Sequence, residues 1–288
     1  MLSWLTCEET TETLGKPHGY VFEAPAWANG FRPATPIPSM GRFAHEALVV
    51  EPWTNITYLT EDAGGTSGFY RHVPHSWLRP LAGGKLQMLK VVGQDNVNLG
   101  VSFPVGTTFD VEWVDVADPD PAAGAPTPFQ QGAALGGASF RRLEGAWYAN
   151  DDRAIYFNST DGGAAAAGQV WAWRRERRRE VVELVYESPS SDVLLKPDNL
   201  TVSPRGGVLL CEDPDRARQS FLRGLTDDGE LYDFAANIRP GTIPGSTTPQ
   251  SWDEFAGATF SGDWMFVNIQ TPGVTFAITG PWRNGPLG

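Results

Sequence analysis

The chain has 288 residues, of which 41% are hydrophobic and only 19% are charged, so a disordered protein is excluded and a sizeable core is expected. The net charge of −12 argues against nucleic-acid binding, which needs basic patches. Two cysteines are too few for a disulfide framework, and no apolar stretch is long enough to span a membrane.

The first 25 residues read as two short strands joined by a loop. The first strand ends in "WLTCEETT", where Cys7 is followed by Glu8 and a second glutamate, and "GYVFEA" forms the next strand. No basic region followed by an apolar one precedes them, so no export signal is predicted.

Four strand–turn–strand segments then recur along the chain. Each has an acid at its first or second position, has a Gly-, Pro- or Asn-containing turn in the middle, and is followed by another strand that carries an aromatic residue. They are "HEALVVEPWTNITYLTED" (45–62), "EGAWYANDDRAIYFNSTD" (144–161), "DNLTVSPRGGVLLCED" (198–213) and "EFAGATFSGDWMFVNIQT" (254–271).

Repeated units of this kind predict an all-β fold, specifically a β-propeller. We expect a single propeller domain over residues 1–288, with outer strands at 85–92 and 107–116. Loop insertions are predicted near 24–41, 117–139 and 236–252, where Pro, Gly and Ala accumulate. A β-sandwich is the alternative, but it does not explain why acids recur at the same place in each unit.

The ends of these hairpins should bring carboxylates together. The start of the first strand lies beside the end of the second, so Glu46 is expected near Glu61 and Asp62, and Asp198 near Glu212. Crowded carboxylates need protons or cations. Oxygen ligands suit Ca²⁺, whereas a thiolate among them suggests a softer metal such as iron or zinc.

Three further residues have two readings each. Cys7 and Cys211 occupy equivalent places in two units, and each is either a metal ligand or a buried apolar filler. Arg142 lies two residues before Glu144, which in a strand puts both on one face. Arg142 is therefore either a clamp for an oxyanion such as phosphate or a salt-bridge partner.

At these residues the chain resembles the PhoX-type alkaline phosphatases, formerly a domain of unknown function. The resemblance covers nearly the whole chain. Its motifs include "WLTCEETT", "MGRFAHEALVV", "YLTEDAGG", "RLEGAWY", "PDNLTVSPRGGVLLCED" and "EFAGATFSGDWMFVNIQTPGVTFAITGPW".

The resemblance implies a six-bladed propeller that hydrolyses phosphate monoesters, and in some members diesters. It implies a pair of Fe³⁺ ions and about three Ca²⁺ ions at the channel mouth. Arg142 is then the catalytic contact to phosphate. The implied metal ligands are Cys7, Glu8, Glu46, Glu144 and Asp198, with a weaker assignment for Glu61, Asp62, Glu212 and Glu254.

Family members begin well before "TCEE", with a twin-arginine export signal and more propeller. About four and a half blades of six are therefore expected in this chain, and the family implies a periplasmic or secreted location. A small phosphate ester is the expected partner, with no nucleic acid or membrane, and the chain is expected to be a monomer.

Two other functions fit the same fold. One is a Ca²⁺-stabilised propeller without phosphatase activity that serves as a binding module. The other is a propeller hydrolase such as a lactonase, which would use one Ca²⁺ and a carboxylate or histidine base. The cysteine of "TCEE" argues against the lactonase.

Overall fold

The computed structural model describes residues 3–12, 16–214, 218–238, 252–271, 273–282, 285 and 287. This part of the chain is nearly all β-structure, with one 3₁₀ helix (Pro38–Met40) and one α-helix, α1 (Pro128–Ala134). Neither helix has the length and apolar character of a membrane span.

The backbone divides into two compact units. The first comprises residues 1–100, 109–143 and 179–181, and the second comprises 101–108, 144–178 and 182–288. The expectation of a single propeller domain stays a prediction.

The first unit contains a three-stranded sheet and five further strands, joined in chain order by antiparallel pairing. The small sheet has the order β1-β2-β3, and the other strands follow in the order β4 to β8. The strands are β1 (Ser3–Cys7), β2 (Val21–Pro25), β3 (Thr35–Pro36), β4 (His45–Val50), β5 (Thr57–Glu61), β6 (Phe69–Pro74), β7 (Gly84–Val91) and β8 (Thr108–Val116).

The core of the first unit is aromatic and aliphatic. Phe43 stacks on Tyr70 with ring centroids 4.6 Å apart, and both rings pack with buried Leu59, Leu86 and Met88. Strands β5 to β7 supply most of these side chains, and their β-branched and aromatic content favours extended backbone. This core supports the end of β1, where the candidate site lies.

The predicted loop at 117–139 contains helix α1. Thr127 caps the helix by accepting a hydrogen bond from the Gln130 backbone, Gln130 reaches back to the Thr127 N–H, and Pro128 occupies the first turn. This capping box was readable in "TPFQ". The Pro/Gly/Ala-rich composition around it led to the loop prediction.

The other two predicted insertions differ from each other. The 24–41 stretch contains β3 and the 3₁₀ helix between irregular segments. In the 236–252 stretch, residues 239–251 lie outside the described residues.

The second unit contains three groups of strands. Their orders are β12-β11-β10-β9, β13-β14-β15-β16 and β17-β18-β19. The strands are β9 (Leu143–Tyr148), β10 (Ala154–Ser159), β11 (Gln169–Arg175), β12 (Glu180–Glu187), β13 (Pro197–Val202), β14 (Val208–Glu212), β15 (Phe221–Leu225), β16 (Leu231–Ala236), β17 (Phe255–Ser261), β18 (Trp264–Ile269) and β19 (Val274–Thr279).

Strand β14 shows how the sheets of this unit pack. Val208 and Leu210 join a core that also contains residues of β10 and β11, whereas Leu209 and Cys211 join a core with residues of β17 and β18. Alternate residues of a strand face opposite sides of its sheet, so the β13–β16 sheet is covered on both faces. That explains why β14 is apolar without alternation.

All four strand–turn–strand segments of the sequence are confirmed as consecutive neighbouring strands. They are β4/β5, β9/β10, β13/β14 and β17/β18, and the outer strands predicted at 85–92 and 107–116 are β7 and β8.

Three of these hairpins carry a register irregularity near the start of the first strand. It falls between His45 and Leu48, between Pro197 and Asn199, and between Phe255 and Gly257. An irregularity of this type re-aims the side chains of the bulged strand. Two acids of the predicted site, Glu46 and Asp198, lie inside such an irregularity.

Buried His72 on β6 makes the first unit sensitive to acid. Its Nε2 lies 3.1 Å from the Ser39 hydroxyl, and burial, together with the charge of His75, lowers its pKa to about 4. The unfolded chain therefore binds more protons than the folded chain between pH 6.5 and 4, and stability falls as pH falls through this window.

Between pH 7 and pH 4.5, the free energy of unfolding of the wild type should fall by about 2 kcal/mol more than that of His72→Gln. Urea unfolding at the two pH values measures this, with exposed Arg79→Gln as the matched control. Parallel losses in the wild type and His72→Gln would contradict the prediction.

Candidate active site

Strand β1 places Cys7 at its last position. Burial alternates along β1, and Leu5 and Cys7 are the side chains that pack against the core of the first unit. Burial, with the nearby carboxylate of Glu46, raises the pKa of Cys7 to about 12. Without a cation the thiol is thus protonated, and its closeness to Glu46 is the first sign of a donor cluster.

Glu46 owes its position to the irregularity in β4. His45, not Glu46, is opposite Glu61, and the next regular pair is Leu48 with Leu59. Between them the Ala47 N–H donates to the Thr60 hydroxyl oxygen at 2.9 Å. Glu46 is therefore next to the residue that is opposite Glu61, because the irregularity changes the register of β4.

Three carboxyl groups meet beside Arg142 in the first unit. Oxygen atoms of Glu9 and Glu46 lie within 4.8 Å of each other. Burial raises the pKa of Glu9, and Asp62 raises it further. The hydrogen bond with Glu46 and the charge of Arg142 lower it in part. Such a cluster is stabilised by a cation or a proton.

Glu9 is the residue that the sequence reasoning missed. Glu9 lies two residues beyond the end of β1 and interacts with Glu46 and Asp62, whereas Glu8 turns to His18. The signal was present in the second glutamate of "TCEE".

Glu8 holds the following loop. Its Oε1 lies 2.9 Å from His18 Nδ1, and its Oε2 accepts from the Gly19 and Tyr20 N–H groups at 2.8 and 3.2 Å. Burial raises the pKa of Glu8, but these hydrogen bonds and the His18 charge outweigh it, so the net shift is downward. This position favours a structural role for Glu8.

Arg142 forms a two-pronged ion pair with Asp62. Its Nε and Nη2 donate to Asp62 Oδ1 and Oδ2 at 3.0 and 3.1 Å. Arg142 lies outside β9 and has a φ of 42°, so the strand argument that put it on one face with Glu144 does not apply. The pair fixes the guanidinium plane, and a guanidinium has five N–H donors in all.

The carboxylate of Glu61 accepts hydrogen bonds from residues outside the carboxyl cluster. It is buried, and its Oε2 accepts from the Gly68 N–H and the Tyr70 hydroxyl at 2.9 and 2.7 Å. Burial raises the pKa of Glu61 to about 7. These two hydrogen bonds lower the pKa, whereas the charge of Asp62 adds to the rise. This environment favours a structural role for Glu61.

The second unit repeats the association of a cysteine with acids. Cys211 is fully buried, and its pKa is raised by burial and by the charges of Asp198 and Glu254. Cys211 packs in the apolar core around Met265, which supports the filler reading. Glu144 is buried at the second position of β9.

Glu212 lies at the centre of an ion-pair network. Its Oε1 accepts from Arg223 Nε at 3.0 Å, Arg218 Nη2 at 2.7 Å and the Leu195 N–H at 3.1 Å, and its Oε2 accepts from the Phe221 N–H at 3.2 Å. With four donors on a fully buried carboxylate, Glu212 is suited to a structural role.

The donor set of the first unit fits a metal centre. Cys7 supplies a sulfur, and Glu9, Glu46 and Asp62 supply crowded carboxylate oxygens. Oxygen donors with one thiol suit a mixture of hard and softer cations. Arg142 adds a positive group able to bind an oxyanion.

The chain is similar to proteins of known structure. A structure of Pseudomonas fluorescens PhoX "in complex with vanadate, a transition state analogue" superposes with a TM-score of 0.67 at 19% identity, covering 91% of this chain and 57% of that one. A gluconolactonase from Xanthomonas campestris, XC5397, superposes with a TM-score of 0.50 at 14% identity, covering 96% of this chain and 69% of that one.

These likenesses show the fold, which is the expected all-β propeller. This chain spans little more than half of the Pseudomonas structure, and no curated protein sequence matches it significantly. The family model described as "Alkaline phosphatase PhoX" matches residues 3–273. Since that match covers almost the entire chain, the protein belongs to the PhoX alkaline phosphatase family.

Proposed function

We propose that the chain is a metal-dependent phosphatase that hydrolyses phosphate monoesters. The observation that carries the proposal is the cluster in the first unit, where Glu9 and Glu46 oxygens lie within 4.8 Å and Arg142 is held by Asp62. Family membership supports the phosphatase class.

The proposed ligands of the first unit are Cys7, Glu9 and Glu46. Glu144, Asp198 and Glu254 enter the proposal through the resemblance, which also implies Fe³⁺ and Ca²⁺. When bound, such ions neutralise phosphate oxygens and lower the pKa of a coordinated water. A periplasmic or secreted location is likewise proposed from the resemblance.

The side chains of the first unit have separate tasks in this proposal. Arg142 donates to phosphate oxygens and stabilises the charge that develops on them. Asp62 orients Arg142 through two hydrogen bonds, so the guanidinium need not reorganise during the reaction. Glu8 orients the loop at His18.

We expect the chain, loaded with Fe³⁺ and Ca²⁺, to hydrolyse phenyl phosphate, and Glu46→Gln to lower kcat/KM about 100-fold or more. The amide keeps the shape but loses the charge that offsets a cation. Exposed Glu112→Gln is the matched control. Calcium binding without hydrolysis in the wild type would replace this proposal with the binding module.

A further inference from the structure

A groove of about 660 Å³ lies beside the end of β1 in the first unit. Its lining includes Cys7 and Glu8, and also His18, Tyr20, Phe22 and Pro36. This volume falls in the range of about 300–1,000 Å³ that is common for small-molecule sites. The groove adjoins the candidate active site at Cys7, which lines it, and it is large enough for an organic group.

The aromatic wall of the groove is held in place by its own contacts. The Tyr20 hydroxyl donates to Asp120 Oδ1 at 2.8 Å, and the same oxygen accepts from Arg42 Nε at 2.9 Å. The rings of Tyr20 and Phe22 meet edge to face, with centroids 6.3 Å apart and an interplanar angle of 89°. A wall fixed before binding loses little conformational freedom when a ligand docks.

The backbone next to this wall is equally constrained. The Gly19 N–H donates to Glu8, and the Gly19 carbonyl accepts from the Phe43 N–H at 3.1 Å. Gly19 has a φ of 102°, and a Cβ there would lie 3.0 Å from the carbonyl oxygens of Phe43 and Thr10. Glycine is required for this conformation and close approach.

Most of the residues that line the groove are apolar and favour an apolar ligand, although Lys16 also lines it. Three proline rings, Pro17, Pro33 and Pro36, contribute apolar surface without an N–H donor. Tyr20 and Phe22 add flat aromatic surface, which packs well against another ring. The charged groups of the site, by contrast, suit the phosphate end of an ester.

We propose that this groove receives the alcohol portion of the substrate, and that the preferred substrates are phosphate monoesters of alcohols carrying an aromatic ring. The inference rests on the proposed function, because it assumes that phosphate occupies the neighbouring site. It adds a substrate class, which the resemblance does not supply.

The test compares 2-phenylethyl phosphate with ethyl phosphate, two alkyl esters that differ in the ring. The matching phosphonates, which cannot be hydrolysed at oxygen, give dissociation constants by calorimetry. Ala34→Trp fills the groove from an exposed position, and Ala123→Trp is the matched control at an exposed alanine outside it.

We expect the phenylethyl compounds to have about tenfold higher kcat/KM and about tenfold lower Kd in the wild type and in Ala123→Trp. In Ala34→Trp both ratios should fall close to one. Ratios near one in the wild type, or unchanged ratios in Ala34→Trp, would overturn the groove assignment. Failure to hydrolyse either ester would instead overturn the proposed function, and the phosphonate Kd ratio would still decide the groove.

Discussion

Replacing Arg142 by lysine is expected to lower kcat/KM for phosphate monoesters by about 10²- to 10³-fold, with iron and calcium content unchanged. Lysine keeps the positive charge but cannot reproduce the two parallel hydrogen bonds to Asp62, so the cation is no longer held in one plane. The effect should appear mainly in kcat, because the interaction strengthens as charge develops on the phosphate.

Two further variants show whether the loss of activity is due to the position of Arg142. Asp62→Asn keeps one acceptor for Arg142 and should lose less activity than Arg142→Lys. Exposed Arg79→Lys is the matched control and should retain full activity. Equal activity of Arg142→Lys and the wild type would show that Arg142 is only a salt-bridge partner.

Removing the Glu212 carboxylate is expected to destabilise the protein by about 3–5 kcal/mol in Glu212→Ala. Arg223, which is 7% exposed in its side chain, and Arg218 would lose a shared partner, and two backbone N–H groups would lose their acceptor. Arg223 would keep its pairing with Asp233 and its position over the Phe221 ring.

Urea unfolding measures this loss, with exposed Glu230→Ala as the matched control. The loss should be the same before and after treatment with a chelator, because the partners of Glu212 are protein groups. A loss that disappears when metal is removed would restore the metal-ligand role implied by the resemblance.

The strands could be predicted from the sequence because their signals are local. Alternating and continuous apolar runs between Gly, Pro and Asn turns defined β4/β5 and β13/β14 almost to the residue. Helix α1 was not predicted although its capping box, Thr127 with Gln130, is also local, because Pro, Gly and Ala dominate the surrounding sequence.

The details of the site were less predictable because they depend on register and on distant partners. The irregularity at Glu46 changes which residue is opposite Glu61, and nothing in "AHEALVV" marks it. Glu8 binds His18, Gly19 and Tyr20 across a loop, a contact that strand periodicity does not foresee.

The phosphate-binding role of Arg142 stays a prediction, but the strand argument that supported it is wrong. The residue lies beside the carboxyl cluster, as a phosphate-binding group should, but its φ of 42° takes it out of the strand assumed for it. Its orientation comes from Asp62, 80 residues away in sequence.

Metal content shows whether Cys7 belongs to a metal centre. Mass spectrometry of the purified chain and of Cys7→Ala, with an absorbance scan for thiolate-to-iron charge transfer, gives the answer. Cys211→Ala is the matched control, because Cys211 is fully buried in an apolar core. We predict iron and calcium in the wild type and in Cys211→Ala, and loss of iron with its absorbance band in Cys7→Ala. Iron retained in Cys7→Ala, or calcium alone in the wild type, would show that Cys7 is not an iron ligand.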